Sequence, residues 1–127
     1  MEYFERIISE TGKYYVLEIL NTREIYEYDT FLFFLYISGT DSFLLGTFLG
    51  FSLYISNTTD KSQGTLCFKD SNYNASTIPP VVNITCPVHG QYVIYYNERL
   101  TNVTYPPDYF SYAAYNMLCE VEVYGKN

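Results

Sequence analysis

Apolar and polar residues follow one another along this chain in short alternating runs, the pattern typical of β-strands that are buried on one face. The last run shows it most clearly, because Val121 and Val123 fall on one side of an extended chain and Glu120 and Glu122 on the other. Clusters of Gly, Pro, Asn and Asp separate the runs and indicate turns. The pattern predicts strands at residues 14–20, 31–37, 48–55, 66–68, 82–85, 91–96 and 118–124.

These strands predict an all-β domain, because no amphipathic helical run is recognisable between them. Phe and Tyr make up 20% of the chain, and such residues favour pleated, half-buried surfaces. The apolar stretch 31–55 contains turn formers and a charge at 38–42, so two buried strands joined by a turn explain it better than a membrane span. Residues 1–11 are polar and are expected to form a leader outside the core, with a short helix.

The charge of the chain narrows its possible partners. The formal net charge is -7, and the seven basic residues are scattered singly. Because nothing in this pattern could track a phosphate backbone, nucleic acid is a poor partner, and anionic membrane surfaces are disfavoured for the same reason.

Four sequons of the form Asn-x-Ser/Thr indicate a glycosylating compartment. About one or two would be expected by chance, so the excess favours an extracellular or cell-surface protein, although turns rich in Asn and Thr would give the same pattern. The first residues lack the basic start and apolar run of a signal peptide, so we expect a piece of a longer chain. The acceptor residues are Asn57, Asn74, Asn83 and Asn102.

The final third of the chain carries the most specific pattern. A cysteine at Cys86, a glycine turn at Gly90, an apolar run at 91–96, a variable loop and an acidic and branched strand at 118–125 follow in that order. This order resembles the closing half of the F-type lectin (fucolectin) domain, a galactose-binding-like jelly-roll β-sandwich. Segments 14–19 and 48–57 are similar to earlier strands of the same family. The resemblance runs from about residue 14 to residue 125 and implies a single, non-catalytic, extracellular carbohydrate-binding domain that lacks its first strands.

The resemblance also assigns roles to the three cysteines. In the family, the cysteines that match Cys67 and Cys86 form a disulfide, which implies the same pair here. The family partner of Cys119 lies in an N-terminal loop that this chain lacks, so Cys119 is expected to be the odd cysteine of an incomplete domain. A buried free thiol at Cys119 is the alternative.

A structural calcium ion is part of what the resemblance implies. Two of its ligands in the family match the backbone oxygen of Cys119 and the carboxylate of Glu120. Calcium takes about six to eight oxygen ligands, so these two residues alone do not complete a site, and calcium is expected only in a complete domain. The other interpretation of Glu120 is a solvated strand carboxylate.

The fucose site of the family depends on two arginines around a turn that corresponds to residues 37–48. This turn contains no Arg or Lys, although Asp41 matches an aspartate of the motif and Thr47 stands where the second arginine is expected. Loss of guanidinium donors removes the strongest hydrogen bonds to a sugar. We therefore expect a lectin-like module without the standard fucose site, in which Asp41 and Thr47 are the candidate ligand contacts. The alternative is an adhesion or receptor scaffold module that binds a protein.

Catalysis is not expected. The sequence contains no nucleophile elbow, phosphate loop or zinc-ligand cluster, and its single histidine, His89, lies in a turn. Its best paired carboxylates are Glu120 with Glu122 and Glu24 with Glu27. Acid–base chemistry requires environments that separate the pKa values of such a pair, which spacing alone does not show.

Overall fold

The computed structural model describes residues 7–10, 14–18, 30–37, 42–111, 114 and 118–126. Over these residues the protein is mostly β-strand, arranged in two antiparallel sheets, as the alternating pattern predicted. The strands are β1 (Ile7–Glu10), β2 (Tyr14–Glu18), β3 (Thr30–Ile37), β4 (Ser52–Ser56), β5 (Thr65–Lys69), β6 (Val81–Cys86), β7 (Tyr92–Tyr96) and β8 (Leu118–Lys126). The described helices are the α-helix α1 (Ser42–Phe48) and a 3₁₀ helix (Lys61–Gln63).

The strands of each sheet come from distant parts of the chain. One sheet has the order β1-β2-β7-β4-β5, and the other has the order β6-β3-β8. Strand β7 therefore lies between β2 and β4, and β3 lies between β6 and β8. Successive strands repeatedly pass from one sheet to the other, so the loops at the ends of the sandwich bring remote segments together.

The core lies between the sheets and follows directly from strand alternation. On β3, Phe31, Phe33 and Leu35 are completely buried, whereas the residues between them are only partly covered. Beside them, Tyr95 stacks on Phe48 and Phe51, with both ring-centroid distances at 5.8 Å. These aromatic side chains bury large areas each and explain why this chain is rich in Phe and Tyr.

The disulfide between Cys67 and Cys86 closes one edge of the sandwich. Cys67 lies on β5 and Cys86 ends β6, which are edge strands of the two sheets, and their Cα atoms are 5.5 Å apart. The pairing implied by the family resemblance is therefore confirmed. A bridge that closes a loop of this length stabilises a fold by about 3 kcal/mol in the chain-entropy model.

Two local predictions were wrong. Residues 48–55 were predicted as one strand, but α1 extends to Phe48 and β4 begins at Ser52. Phe48 and Leu49 are both fully buried, and an apolar run that is buried all round does not distinguish a helix from a strand. Between α1 and β4, Gly50 takes a positive φ of 87°, which turns the chain from the helix into the strand.

The helix expected in residues 1–11 is also wrong where the structure describes them. Ile7–Glu10 is a strand, and it pairs with β2. Pairing with a neighbouring strand has overridden the local polarity of this segment. In the part of the chain that the structure describes, no helix has the length and apolar character needed to cross a membrane.

Candidate functional site

A cleft of about 380 Å³ opens between the end of β5 and the loop that follows β7. Its walls include Lys69, Asp70 and Ser71 on one side and residues 96–100 and 103–106 on the other, with Tyr109 beside them. Two smaller hollows adjoin it around Ser71 and Tyr73. Ligand sites of proteins range from roughly 300 to 1,000 Å³, so the cleft is large enough for a small molecule.

Arg99 holds the loops of the cleft together. A guanidinium group has five N–H donors, and the structure provides an acceptor for each of them. The bonds run from Nε to the carbonyl of Phe110 (2.7 Å), from Nη1 to Asn97 Oδ1 (3.1 Å) and the carbonyl of Glu98 (3.2 Å), and from Nη2 to the carbonyls of Gly46 (2.9 Å) and Leu49 (2.8 Å). Because every donor is used internally, Arg99 is a structural residue and has no donor left for a ligand.

Asn97 fixes the end of α1 against the end of β7. It is 1% exposed, and its Nδ2 lies 3.3, 2.7 and 3.2 Å from the carbonyl oxygens of Thr47, Phe48 and Leu49. The last carbonyls of a helix have no partner within the helix, and they carry partial negative charge. Asn97 and Arg99 together therefore supply the donors that this short helix lacks.

Two tyrosine rings contact the Arg99 guanidinium. Its central carbon is 5.2 Å from the ring centroid of Tyr105 and 5.0 Å from that of Tyr109, and the two rings are nearly parallel at 5.9 Å. The Tyr105 hydroxyl also accepts a hydrogen bond from the backbone N–H of Leu100 at 2.7 Å. Burial raises the pKa of Tyr109, and the charge of Asp70 raises it further, so this phenol is neutral near pH 7.

Asp70 organises the opposite wall of the cleft. Its carboxylate is 3% exposed and accepts backbone N–H groups from Gly50 at 2.8 Å, Asn72 at 3.1 Å and Tyr73 at 2.9 Å. Three amide donors satisfy a buried carboxylate without a cation. Asp70 thus joins the turn before β4 to the loop after β5, and the cleft walls are fixed on both sides.

Other polar groups of the cleft remain accessible to a ligand. Lys69, Ser71 and Thr104 are exposed along its walls. Burial raises the pKa of Tyr96, and a hydrogen bond with the Glu98 side chain raises it further. Since a carboxylate accepts several hydrogen bonds, Glu98 retains capacity for a ligand hydroxyl. The arrangement suits the binding of a neutral, hydroxylated molecule.

Of the two residues predicted from the fucose motif, Thr47 is described, and it does not line this cleft. Asp41 lies outside the described residues. Thr47 lies on α1 and is 0% exposed, and its carbonyl is one of the acceptors of Asn97. In this structure the Thr47 side chain has no exposed surface that could contact a ligand.

The predicted calcium ligands lie on β8, where the backbone of Glu120 pairs with Tyr36. The side chains of Cys119 and Glu120 are outside what the structure describes. Within the described ranges, no group of three or more His, Cys, Asp and Glu residues is placed to hold a metal ion. Calcium binding in a complete domain therefore stays a prediction.

The four predicted glycosylation acceptors all reach the surface. Asn57, Asn83 and Asn102 are exposed, and Asn74 is partly exposed. Asn102 also takes a positive φ of 63° at the tip of the loop beside the cleft. Glycosylation of these four residues remains a prediction, and their positions at the surface are compatible with it.

Sequence reasoning did not identify the two residues on which the cleft depends. Asn97 and Arg99 follow directly after a strand, but their partners on α1 and at Leu49 just after it lie about fifty residues away along the chain. The one available signal was an isolated Asn-x-Arg at a strand end, followed by the tyrosines of the next loop. That signal does not indicate whether the arginine faces a ligand or the protein's own backbone.

Comparisons with protein-family models, with curated proteins and with solved structures found no match to this chain. The resemblance to F-type lectins therefore stays a prediction.

Proposed function

We propose that this chain is a non-catalytic, extracellular carbohydrate-binding module that holds its ligand in the cleft between β5 and the loop after β7. One observation carries the proposal: the cleft is lined by tyrosines and accessible polar groups, while its walls are fixed by Arg99, Asn97 and Asp70. A preformed cleft avoids the entropic cost of ordering loops when a ligand binds.

The lining matches the chemistry of a sugar ring. Sugars combine an apolar face of C–H groups with many hydroxyls, and tyrosine offers an apolar ring together with a polar tip. Glu98 accepts hydrogen bonds from hydroxyls, and Lys69 and Ser71 donate to sugar oxygens. The combination of one half-buried acid, Glu98, and one exposed cation, Lys69, suits a neutral saccharide better than a charged ligand.

The ligand class differs from that of the standard fucose site. Fucose recognition in the family that the chain resembles uses arginine donors, whereas the arginine of this cleft already donates all five of its N–H groups to protein oxygens. This geometry favours a site that binds a mono- or disaccharide more weakly than the standard fucose site does. The binding would depend on ring contact and a few hydrogen bonds.

The finer fold and the location belong to the same proposal. The fold is a galactose-binding-like jelly roll, which the two packed antiparallel sheets and the Cys67–Cys86 disulfide support. A disulfide at the sandwich edge also supports an extracellular location, since such bonds persist in oxidising compartments.

A protein-binding scaffold is the second candidate. Leu100 and Val103 are 54% and 47% exposed on the loop beside the cleft, and such apolar side chains recur at protein interfaces. A ligand protein would contact the tip of this loop rather than the cleft, so the two candidates predict different contact residues.

The test is an NMR titration of the isotope-labelled chain with a panel of neutral mono- and disaccharides. We expect millimolar binding, with amide shifts concentrated in residues 69–74 and 96–109. The substitution Glu98→Gln removes a charged acceptor and should weaken binding about tenfold or more. Glu122→Gln is the matched control, because Glu122 also accepts from tyrosine hydroxyls but lies on the other sheet.

Two results would overturn the carbohydrate proposal. One is the absence of shifts with every saccharide of the panel. The other is equal affinity of the Glu98→Gln and Glu122→Gln variants, which would place any sugar contact away from this cleft.

A further inference from the structure

The outer face of the three-stranded sheet carries a fixed aromatic surface. Leu32, Phe34 and Tyr36 on β3 point away from the core and are only partly buried. Phe34 packs edge-on against Tyr124 of β8 at a centroid distance of 5.6 Å. A partly exposed aromatic group at the centre of a sheet face is a surface that a ligand or partner can cover.

Hydrogen bonds hold this surface in one arrangement. The hydroxyls of Tyr36 and Tyr124 both donate to Glu122 Oε1, at 3.0 and 3.2 Å. The carboxylate is thereby satisfied by groups of its own face. The rings around it are therefore preorganised, and no rearrangement is needed before contact with another group.

One of the four sequons lies in register with this surface. Asn83 on β6 pairs directly with Phe34, and Thr85 pairs with Leu32. Asn83 and Thr85 are exposed, whereas Val82, Ile84 and Cys86 between and beside them are buried in the core. Directly opposed residues on antiparallel strands have Cβ atoms about 5 Å apart on the same face. The Asn83 side chain thus leaves the sheet beside the Phe34 ring.

The other three sequon acceptors lie outside the strands. Asn57 and Asn102 lie in exposed loops. Asn74 closes a local turn, in which its Oδ1 accepts the N–H groups of Ser76 and Thr77 at 2.8 and 3.0 Å. Asn83 is the sequon acceptor placed within a strand, and in the described part of the chain its side chain makes no hydrogen bond.

We propose that Asn83 carries an N-linked glycan whose first sugar lies across Phe34, so that the outer face of the three-stranded sheet is covered by the chain's own glycan. The sugar donor is a lipid-diphosphate-linked oligosaccharide of the secretory pathway. Asn83 Nδ2 bonds to C1 of the first sugar as the bond from C1 to the diphosphate oxygen breaks, the bonding pair leaves with the lipid diphosphate, and Nδ2 loses one proton. Nothing is oxidised or reduced.

The stabilising contact follows from the chemistry of the two groups. The first sugar of such a glycan presents a face of C–H groups, and the Phe34 ring offers an apolar surface within reach of Asn83. Attachment to a strand limits the freedom of the sugar, so little further order is lost on contact. This inference shares with the proposed function only the premise of secretion, and it does not involve the cleft.

The test uses the full chain, secreted from eukaryotic cells behind a cleavable signal. Peptide mass spectrometry measures occupancy of Asn83, and thermal melts compare Thr85→Ala, which destroys the sequon, with Thr85→Ser, which keeps it. We expect high occupancy in the unsubstituted chain and a melting temperature roughly 3–6 °C lower for Thr85→Ala than for Thr85→Ser. The same pair at Thr59, which controls the loop acceptor Asn57, should show equal melting temperatures.

Two further comparisons locate the contact. Trimming the unsubstituted glycoprotein to a single sugar should keep the stabilisation, whereas complete removal of the glycan should abolish it. In Phe34→Leu, melting temperatures with and without the glycan should coincide. An unoccupied Asn83, equal melting of the two Thr85 variants, or a glycan effect that persists in Phe34→Leu would overturn the proposal.

Discussion

Two cations of this protein lie over tyrosine rings, and they differ in what else they contact. Arg99 lies 5.2 and 5.0 Å from the ring centroids of Tyr105 and Tyr109, and it also donates hydrogen bonds to four backbone carbonyls and one side-chain oxygen. The ammonium of Lys61 lies 4.2 Å from the ring of Tyr96 and 5.3 Å from that of Tyr54. Beyond these ring contacts, the charge of Lys61 contributes to lowering the pKa of the exposed Asp60, after the hydrogen bonds from Ser62.

The difference shows which cation supports the cleft. A guanidinium matches several fixed acceptors at once, whereas an ammonium on a flexible stem acts as a point charge. Arg99 connects α1, the end of β7 and the loop that reaches Phe110, so its loss affects all three. Lys61 covers two rings on the outer face of one sheet, so its loss affects little beyond them.

The largest effect is expected for Arg99→Ala. The substitution leaves several half-buried carbonyl oxygens without donors and should lower the free energy of unfolding by about 3–5 kcal/mol. Arg99→Lys restores the charge but not the fork of donors, so it should recover less than half of the loss. Urea denaturation of the three proteins checks both values, and full recovery by lysine would show that charge alone matters.

Asn97→Ala should have the next largest effect. It removes the amide that faces three carbonyls at the end of α1, and we expect a loss of about 2 kcal/mol. Asn72→Ala is the matched control, because Asn72 is exposed and contributes its backbone N–H to Asp70. Equal stability of the two variants in urea melts would contradict the capping role of Asn97.

Alkaline pH should destabilise the fold through Tyr96. Burial and the hydrogen bond with Glu98 raise the pKa of this phenol above its ordinary value of 10.0. A raised folded-state pKa means that the stabilisation is complete below about pH 10 and is lost as the pH rises through the folded-state value. Melting temperatures of the unsubstituted chain should therefore fall more steeply above pH 10 than those of Tyr96→Phe. Parallel curves would show that Tyr96 does not contribute.

The smallest effect is expected for Lys61→Ala. Exposed cation–π contacts contribute about 0.5–1 kcal/mol, so the variant should lose no more than this in urea denaturation. Lys69→Ala is a suitable control for stability, since Lys69 is exposed on the cleft wall. A loss for Lys61→Ala as large as that for Arg99→Ala would remove the distinction between the two cations.

Alternation along the chain was sufficient to predict β6 and β8, in which apolar residues alternate with polar ones and the structure buries the apolar set. Strand β3 is apolar at nearly every position, and it was predicted as a buried strand because turn formers follow it. The α-helix α1 was not predictable in the same way, because Phe48 and Leu49 are both buried and leave no alternation. The Cys67–Cys86 disulfide was predicted from the resemblance to a family, not from the spacing of the cysteines.

The site depended on pairings that a sequence does not show. Alternation places Asn83 on an outer face, but β3 is apolar on both faces, and only the register of β3 with β6 sets Phe34 beside Asn83. Likewise, the sequence shows an arginine after a strand, but only the fold brings the carbonyls of Gly46 and Leu49 to its donors. The strands were predictable because their patterns are local in the sequence. The site was not predictable, since its contacts join residues that are far apart along the chain.

A crystal structure of the chain with the saccharide that binds most tightly in the titration would test directly whether this cleft is a preformed sugar site. We expect the sugar between Ser71 and Tyr109, with a hydroxyl donating to Glu98 and with all five donors of Arg99 still bonded to protein oxygens. A sugar bound elsewhere, or an Arg99 side chain that has left its carbonyls to bind the ligand, would show that it is not.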